Sequence, residues 1–190
     1  MKNIRWCAAL CVVLLASGCA FNDQAVRVTP QVEVAPGTVG EGVAVRVNVV
    51  DERPKTTLGT RGARGVGADL TIEGDIVSTI RDAIETGLQR LSFETSQDPA
   101  QDRELRVELR SLDYNVLVGF WAGTLKVDTA MKAICRLGDL RPYEQLHRGE
   151  FTESVQVVQG DDANNGYVSA SVSEALNSLL GDQELMACLA

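Results

Sequence analysis

Cys19 has the most definite chemistry in this sequence because of the residues that precede it. Lys2 and Arg5 give a positive start, an apolar run extends over residues 6–16, and small residues lie directly before the cysteine. The run has the length of a secretory signal and is shorter than the ~20 residues that a membrane-spanning helix needs. We therefore expect cleavage before Cys19, diacylation of its thiol and acylation of its freed amine. The alternative is an ordinary secretory signal cut at a small-residue site, with Cys19 incidental.

Acylation of Cys19 predicts a protein that is held on a membrane by its lipid chains. One chain binds a bilayer only marginally, whereas two or three chains give an effectively permanent anchor. The expected organisation is a signal peptide over residues 1–18, a lipidated N-terminus and tether over 19–25, and a single domain over 26–190. Cleavage leaves 172 residues, a length that suits one domain.

Cys135 and Cys188 are the two cysteines that remain for a disulfide. Cys7 and Cys11 leave with the signal, and Cys19 is acylated, so the even pair is left in an oxidising compartment. We expect a disulfide between them that ties the last helix to a strand and stabilises the fold by about 2–4 kcal/mol. The alternative is two buried free thiols.

Residue types that support catalysis are scarce. The one histidine, His147, lies in a polar run beside Arg148, where we expect an exposed side chain rather than a general base. A zinc site needs three or four ligands, and one histidine with two bonded cysteines is too few. The Asp/Asn cluster over 161–165 has oxygens for calcium, but it lacks the EF-hand spacing and is typical of turns. The sequence therefore predicts no enzyme, no cofactor and no metal, with a hydrolase kept only as an outlier.

The glycine-rich, basic segment over residues 51–67 is the main candidate for a binding site. Its glycine spacing matches neither the dinucleotide fingerprint nor the P-loop. Three interpretations stay open: a structural turn, a partner contact, and an anion-binding site. Asp51 is expected either to accept backbone amides or to pair with Arg53. The candidate partner-binding residues of this segment are Asp51, Arg53, Leu58, Arg61 and Arg64.

Phe120 and Trp121 are the second candidate contact. They lie between glycines at the turn between two predicted strands. Exposed aromatic residues at such a tip anchor protein partners, because tryptophan is enriched in interface hot spots. The alternative is that the tip folds back and buries both rings.

The charge of the chain limits the classes of partner. Lys2 and Arg5 leave with the signal, so 16 basic residues face 26 acidic ones and the formal charge of the mature chain is −10. Nucleic-acid binding needs clustered Lys and Arg on phosphates, so it is excluded. The expected partners are the membrane, through the lipid anchor, and an unknown envelope protein.

The hydrophobic periodicity predicts strands and helices that surround these residues. Valines recur with a step of two over 43–49, and further alternating runs predict long strands over 105–116, 125–135 and 143–158. Asp75 is placed to cap a helix over 75–91, whose apolar residues fall on one face. A last helix follows the loop that ends at residue 166. An early edge strand, bent at Pro30, is expected over 26–34.

This order predicts an α+β fold. Strands, a helix, three alternating strands and a second helix are expected to form an antiparallel β-meander sheet packed on one face by two α-helices, a two-layer sandwich preceded by a signal peptide.

The chain resembles the YajG-type family of bacterial envelope lipoproteins over nearly its whole mature length. The features that carry the resemblance are Gly-Cys at 18–19, Val-Thr-Pro at 28–30, Asp-Glu-Arg-Pro at 51–54, Leu-Gly-Thr-Arg at 58–61, and the order of helices and strands. The resemblance implies no catalytic residues. Ala20, by resemblance to lipoproteins of Gram-negative bacteria, implies sorting to the outer membrane, and retention at the inner membrane is the alternative.

Together these features predict an outer-membrane lipoprotein, facing the periplasm, that acts as a non-catalytic interaction or accessory protein. The alternative function is a periplasmic module that binds a small ligand or a glycan.

Overall fold

Long strands dominate the domain. We describe it from a computed structural model, which describes residues 22–61, 67–118, 123–155 and 160–190, with the side chain of residue 118 left out. Cys19 and the predicted signal peptide lie outside these ranges. Within them the strands and helices are β1 (Gln24–Val26), β2 (Ala44–Asp51), β3 (Gly59–Thr60), β4 (Asp69–Ile72), α1 (Ile76–Arg90), β5 (Glu94–Ser96), β6 (Arg103–Val118), β7 (Gly123–Leu137), β8 (Leu140–Val155), α2 (Asp161–Leu180) and α3 (Gln183–Leu189).

Strands β6, β7 and β8 follow one another in the sheet and pair antiparallel along nearly their full lengths. Their alternation in the sequence matches their alternation in burial. In β7 the side chains of Leu125, Val127 and Met131 face the helices and are buried, whereas those of Lys126 and Lys132 point to the other face. The period of two therefore fixes which face of this long sheet forms the core.

The other side of β6 receives parallel strands, so the sheet is mixed. β2 pairs in parallel with the first half of β6 and also with β5, and β3 reaches β6 further along, at Tyr114. The register shifts between Leu109 and Ser111, where β2 ends. β3 continues antiparallel into β4, and β4 pairs in parallel with β1.

The α+β class predicted from the sequence is confirmed, and the predicted sheet is corrected. An antiparallel meander contains no parallel pairs, whereas β2 lies parallel to both β5 and β6. The chain passes from β2 to β5 and β6 through α1, because parallel strands need a crossover connection. Alternating valines predict that β2 is a strand, but they carry no information on its neighbour. Three helices, rather than two, are present in the described residues.

The N-terminal region also differs from its prediction. The sheet strand expected over 26–34 is limited to β1, which begins at Gln24 within the stretch expected to be a tether. Beyond β1 the chain leaves the sheet and has no regular secondary structure over residues 27–38. No helix of the described residues is both long enough and apolar enough to cross a bilayer.

Helix α1 forms as its pattern predicts. The Asp75 carboxylate accepts the Val77 amide at 2.9 Å and caps the first turn. Ile80, Ile84 and Leu88 recur at one helical turn and are fully buried against the sheet. Burial of each such side chain contributes about 1.5–3 kcal/mol, so this face holds α1 on the strands.

The predicted disulfide joins Cys135 in β7 to Cys188 in α3, with Cα atoms 6.4 Å apart. The Arg103 guanidinium also donates to the carbonyl oxygens of Cys188 and Leu189, at 3.2 and 2.7 Å. The C-terminal helix is therefore fixed to the sheet by a covalent link and by a cation at its carbonyl end.

Gly149 is the point at which α2 crosses β8 most closely. A Cβ at this position would collide with the Ser171 carbonyl oxygen and would lie 2.6 Å from the Ala175 nitrogen. Backbone atoms of a packed helix move only if the helix moves. A side chain at residue 149 therefore separates the two elements.

Gly149→Ala is expected to lower the free energy of unfolding by about 1–3 kcal/mol, the usual cost of overpacking. Urea unfolding monitored by circular dichroism measures this change. Gly166→Ala is the matched control, because Gly166 lies inside α2 and a Cβ at that position would meet only open space. It is expected to raise stability by up to ~1 kcal/mol through helix propensity. Equal effects of the two substitutions would contradict the close packing.

Candidate functional site

Asp51 and Arg53 bind each other at the end of β2. The Arg53 guanidinium donates to both carboxylate oxygens of Asp51, at 2.9 and 2.7 Å, and the Arg53 amide donates to Oδ1 at 3.1 Å. The hydrogen bond from Arg53 holds the pKa of Asp51 below its usual value. Both interpretations left open for Asp51 are therefore present, since it accepts a backbone amide and pairs with the Arg53 side chain, and together these contacts fix the exit of the strand.

Leu58 lies in the core, with only 1% of its surface exposed. Its amide donates to the Leu70 carbonyl at 2.8 Å, and its carbonyl accepts the Tyr114 amide at 2.9 Å. A side chain in this position packs between β4 and β6 and does not reach a protein partner. Leu58 is thus a core residue, contrary to its place among the expected contact residues.

The Arg61 side chain binds other parts of its own chain. One guanidinium nitrogen donates to the Asn22 carbonyl at 3.4 Å, and another lies 3.3 Å from an oxygen of Asp161, the first residue of α2. The side chain is 9% exposed. Arg61 therefore joins the N-terminal chain to the start of α2. Three further predicted contact residues, Arg64, Phe120 and Trp121, lie outside the described residues.

The most regular polar arrangement of the described chain lies between α2 and residues 27–33, an extended segment that we call the strap. Every second strap amide donates to an oxygen of a polar side chain on α2, at 2.8–2.9 Å. The donor and acceptor pairs of this polar ladder are Arg27 with Asn165, Thr29 with Ser169, Gln31 with Ser173, and Glu33 with Asn177.

The ladder is possible because two different repeats have nearly the same length. Four residues of an α-helix rise about 6.0 Å, and two residues of an extended polyproline-like chain rise about 6.2 Å. Side chains at every fourth helix position therefore stay opposite every second strap amide. Pro30, which has no amide hydrogen, lies between the donors Thr29 and Gln31, so the ladder loses no hydrogen bond there.

The strap is also held from the α1 side. Arg90 donates to the Val32 carbonyl at 2.6 Å, and Gly87 brings α1 so close that a Cβ there would collide with Leu180 and lie 3.2 Å from Val32. Val28 is buried, and Val32 packs against the core. The strap thus fills the space between α1 and α2.

A buried polar cluster fixes the start of α2. Tyr114 donates to the Asn164 side-chain oxygen at 2.8 Å, Asn164 donates to Gln24 at 2.8 Å, and Gln24 donates to the Asp161 carbonyl at 3.1 Å. Burial raises the pKa of the Tyr114 hydroxyl to about 12, so it stays protonated and donates. The cluster links β6, β1 and α2 where the N-terminal chain enters the fold.

His147 is buried, with 3% of its surface exposed, and the prediction of an exposed side chain is wrong. Its Nε2 lies 2.9 Å from the Tyr143 hydroxyl, which donates to Asp182 at 2.9 Å, and its Nδ1 lies 3.3 Å from the Ser178 hydroxyl. The sequence places His147 in a polar run. Side chains of a strand alternate between the two faces of the sheet, and His147 occupies a position that faces the helices, regardless of the polarity of the neighbouring residues.

The chain from Ser178 through His147 and Tyr143 to Asp182 has the residue types of an activated nucleophile. The position of Ser178 in the fold is unfavourable for that chemistry. Ser178 lies in the last turn of α2, where helix carbonyls point outward and destabilise an oxyanion. Burial also lowers the pKa of His147, although the charge of Asp182 acts in the opposite direction. The network fits a clamp between β8, α2 and α3 better than a catalytic site.

The face of the sheet opposite the helices is lined by ion pairs. Arg46 lies 3.0 Å from Glu104, Arg110 lies 2.7 Å from Glu52, and Lys132 pairs with Glu144. Leu146 on the edge strand β8 stands among these charges with 41% of its surface exposed. We call this surface the open face. It is broad, of mixed charge, and uncovered by any helix of the described residues.

An open groove of about 470 Å³ runs between the strap and α1. Two of its polar side chains are used within the fold: Arg90 donates to the Val32 carbonyl, and the Thr86 hydroxyl donates to the Asp82 carbonyl at 2.7 Å. The described residues contain no group of three or more side chains that suits a metal ion.

Comparison with known proteins gives a family and a fold. A family model described as an uncharacterized lipoprotein (Lipoprotein_16) matches residues 30–190. No curated protein sequence matches the chain.

Two crystal structures with similar folds cover most of the chain. Protein XCC0632 from Xanthomonas campestris has a TM-score of 0.55 at 12% identity, with 86% of this chain and 97% of that chain covered. A homolog of a neuraminyllactose-binding hemagglutinin from Helicobacter pylori has a TM-score of 0.52 at 8% identity, with 83% and 95% covered. At these identities the similarity shows the fold alone.

Ser173→Ala tests the polar ladder. It removes the acceptor of the Gln31 amide, so we expect a loss of about 1 kcal/mol in the free energy of unfolding, partly offset by the higher helix propensity of alanine. Amide hydrogen exchange by NMR is expected to accelerate at Gln31 and to stay unchanged at Arg27. Ser173→Thr, which keeps the hydroxyl, is the control and should retain protection at Gln31. Unchanged exchange at Gln31 in the alanine variant would contradict the ladder.

Because of His147, we expect the folded protein to become less stable as the pH falls. Its pKa is lowered in the folded protein and is about 6.5 in an unfolded chain. As the pH falls below about 6.5, the unfolded chain binds a proton that the folded protein does not, so stability decreases, by at most about 1.4 kcal/mol per pH unit. The urea midpoint should fall between pH 7 and pH 5, and the fall should be smaller in His147→Gln. Parallel profiles of the two proteins would exclude this role.

Proposed function

Because the chain belongs to the YajG-type family of uncharacterised lipoproteins, we propose that acyl chains on Cys19 hold it on the periplasmic face of the bacterial outer membrane. There it acts as a non-catalytic interaction protein that presents the open face of its sheet to another envelope protein.

The open face is the observation that supports this function. The polar side chains on the helical side are engaged with one another, in the ladder, in the Tyr114 cluster and in the His147 network. The charged side chains of the open face also pair with one another, but no helix of the described residues covers them, and Leu146 among them is 41% exposed. Alternating charges of both signs around an exposed aliphatic side chain suit a specific and reversible contact with a protein.

The chemistry of the anchor is consistent with this location. Two or three acyl chains on one cysteine bind a bilayer in an effectively permanent way. The mature chain, with its formal charge of −10, is repelled by anionic surfaces such as nucleic acids. The groove beside the strap is a poorer candidate for ligand binding, because its Thr86 and Arg90 side chains already bind within the fold.

One crosslinking experiment tests the anchor and the contact together. A photoreactive amino acid replaces Leu146 on the open face, and in a control it replaces Gln89, which is exposed on α1. In cells grown with labelled palmitate, the Leu146 protein is expected to carry label, to fractionate with the outer membrane, and to form a defined protein adduct. The Gln89 protein should carry the same label without that adduct.

Cys19→Ser separates the two parts of the proposal. The variant should lose the palmitate label, appear in the soluble periplasm, and lose the adduct from position 146. Wild-type protein without label, or a serine variant that still fractionates with the membrane, would overturn the anchor. Identical adduct patterns from positions 146 and 89 would overturn the contact.

A further inference from the structure

We propose that the domain rests directly on the membrane surface in one orientation, with the end of the fold where α2 begins against the lipid headgroups. This inference depends on the proposed acylation of Cys19. It concerns a surface of the domain other than the open face, and its partner is a layer of zwitterionic phosphatidylethanolamine lipid.

The length of the chain between the lipid and the fold is the first step. The Asn22 carbonyl accepts a hydrogen bond from Arg61, and the Asp23 carboxylate accepts the Asp69 amide at 2.9 Å. Gln24 already pairs with Leu70 in the sheet. The chain is therefore fixed on the fold from Asn22 onward, and only two residues, Ala20 and Phe21, separate Asn22 from Cys19, a distance of three Cα–Cα steps. Three residues span at most about 11 Å.

The thickness of the headgroup layer is the second step. The acyl chains place the thioether of Cys19 at the boundary of the hydrocarbon core, and the headgroup region adds about 5–7 Å on each side of that core. Most of the available 11 Å or so is used in crossing this layer. The fold therefore lies in contact with the headgroups and does not swing on a long tether.

The contacts of the fixed chain identify the end that faces the lipid. Arg61, which binds Asn22, also pairs with Asp161 at the start of α2. The ladder then carries the strap along α2 from Asn165 toward Asn177, away from this end. The membrane-facing end thus includes residues 22–23, the start of β4, and the first turn of α2.

The opposite end of the domain points away from the bilayer. β7 leaves the lipid-facing end at Gly123, which pairs with Val155 shortly before α2, and it ends at Leu137. Fifteen strand residues span about 45–50 Å. The turn between β7 and β8, which precedes the exposed Leu140 at the start of β8, is consequently held far from the membrane.

The charges at the lipid-facing end select the type of lipid. Four carboxylates, on Asp23, Asp69, Asp161 and Asp162, lie in this region, and Arg61 pairs with one of them. Anionic headgroups repel such a surface, whereas the ammonium group of phosphatidylethanolamine is attracted to it.

The orientation is tested with lipidated protein bound to vesicles of phosphatidylethanolamine and phosphatidylcholine that contain a headgroup-labelled quenching lipid. A fluorophore is attached to a single free cysteine, introduced either as Asp162→Cys at the start of α2 or as Asp139→Cys in the β7–β8 turn. Both positions are exposed, and Cys135 and Cys188 are bonded and do not react. We expect the label at residue 162 to lose most of its fluorescence and the label at residue 139 to lose none.

A flexible insertion provides the control. Twelve glycine and serine residues placed between Ala20 and Phe21 should leave vesicle binding intact and remove the difference between the two positions. Equal quenching of both labels in the uninserted, vesicle-bound protein would overturn the orientation, and so would an insertion without effect. Mass spectrometry measures the acylation of Cys19 independently of the fluorescence. An unacylated Cys19 would overturn the proposed function and this inference together, whereas acylated protein with equal quenching would overturn the inference alone.

Discussion

The agreement between two backbone repeats is the constraint on which the arrangement of this domain depends. An extended strap advances by two residues over nearly the distance that α2 advances by four, so the strap amides meet Asn165, Ser169, Ser173 and Asn177 in turn. The residues that donate these amides are exposed, so each hydrogen bond of the ladder contributes a net stabilisation of about 0.5–1.5 kcal/mol. The ladder lets a segment without sheet pairing fill the space between two helices.

Helix α2 consequently meets different partners on different faces. Val168, Val172 and Leu176 pack on the sheet, while the ladder residues bind the strap. At its start, Asn164 is fixed by Tyr114 and Gln24, and near its end Ser178 contacts the His147 network. The strap follows β1, and β1 together with Asn22 and Asp23 fixes the chain to the fold close to the proposed lipid anchor. None of these contacts covers the open face, which the proposed function assigns to a protein partner.

The sequence predicts local features of this fold well and its long-range pairings poorly. The valine alternation of β2, the capped helix α1 and the Cys135–Cys188 disulfide follow from periodicity, side-chain chemistry and cysteine counting. The parallel pairing of β2 with β6 does not, because alternation fixes a strand but not its neighbour.

The candidate site is harder to predict. Leu58 and Arg61 are expected contact residues because they lie in a glycine-rich segment, yet one packs in the core and the other binds its own chain. The polar residues of α2 do carry a signal. Asn165, Ser169, Ser173 and Asn177 repeat every four positions beside the apolar stripe, a pattern of acceptors that indicates a second chain segment along the helix.

The rigidity of the strap tests the ladder most directly. Backbone ¹⁵N relaxation of the acyl-free domain reports motion at each amide. We expect order parameters for Thr29, Gln31 and Glu33 of about 0.85, the level of rigid backbone and of β7 in the same molecule. Values below about 0.6, typical of a flexible chain, would show that the strap moves independently of α2 and would contradict the ladder.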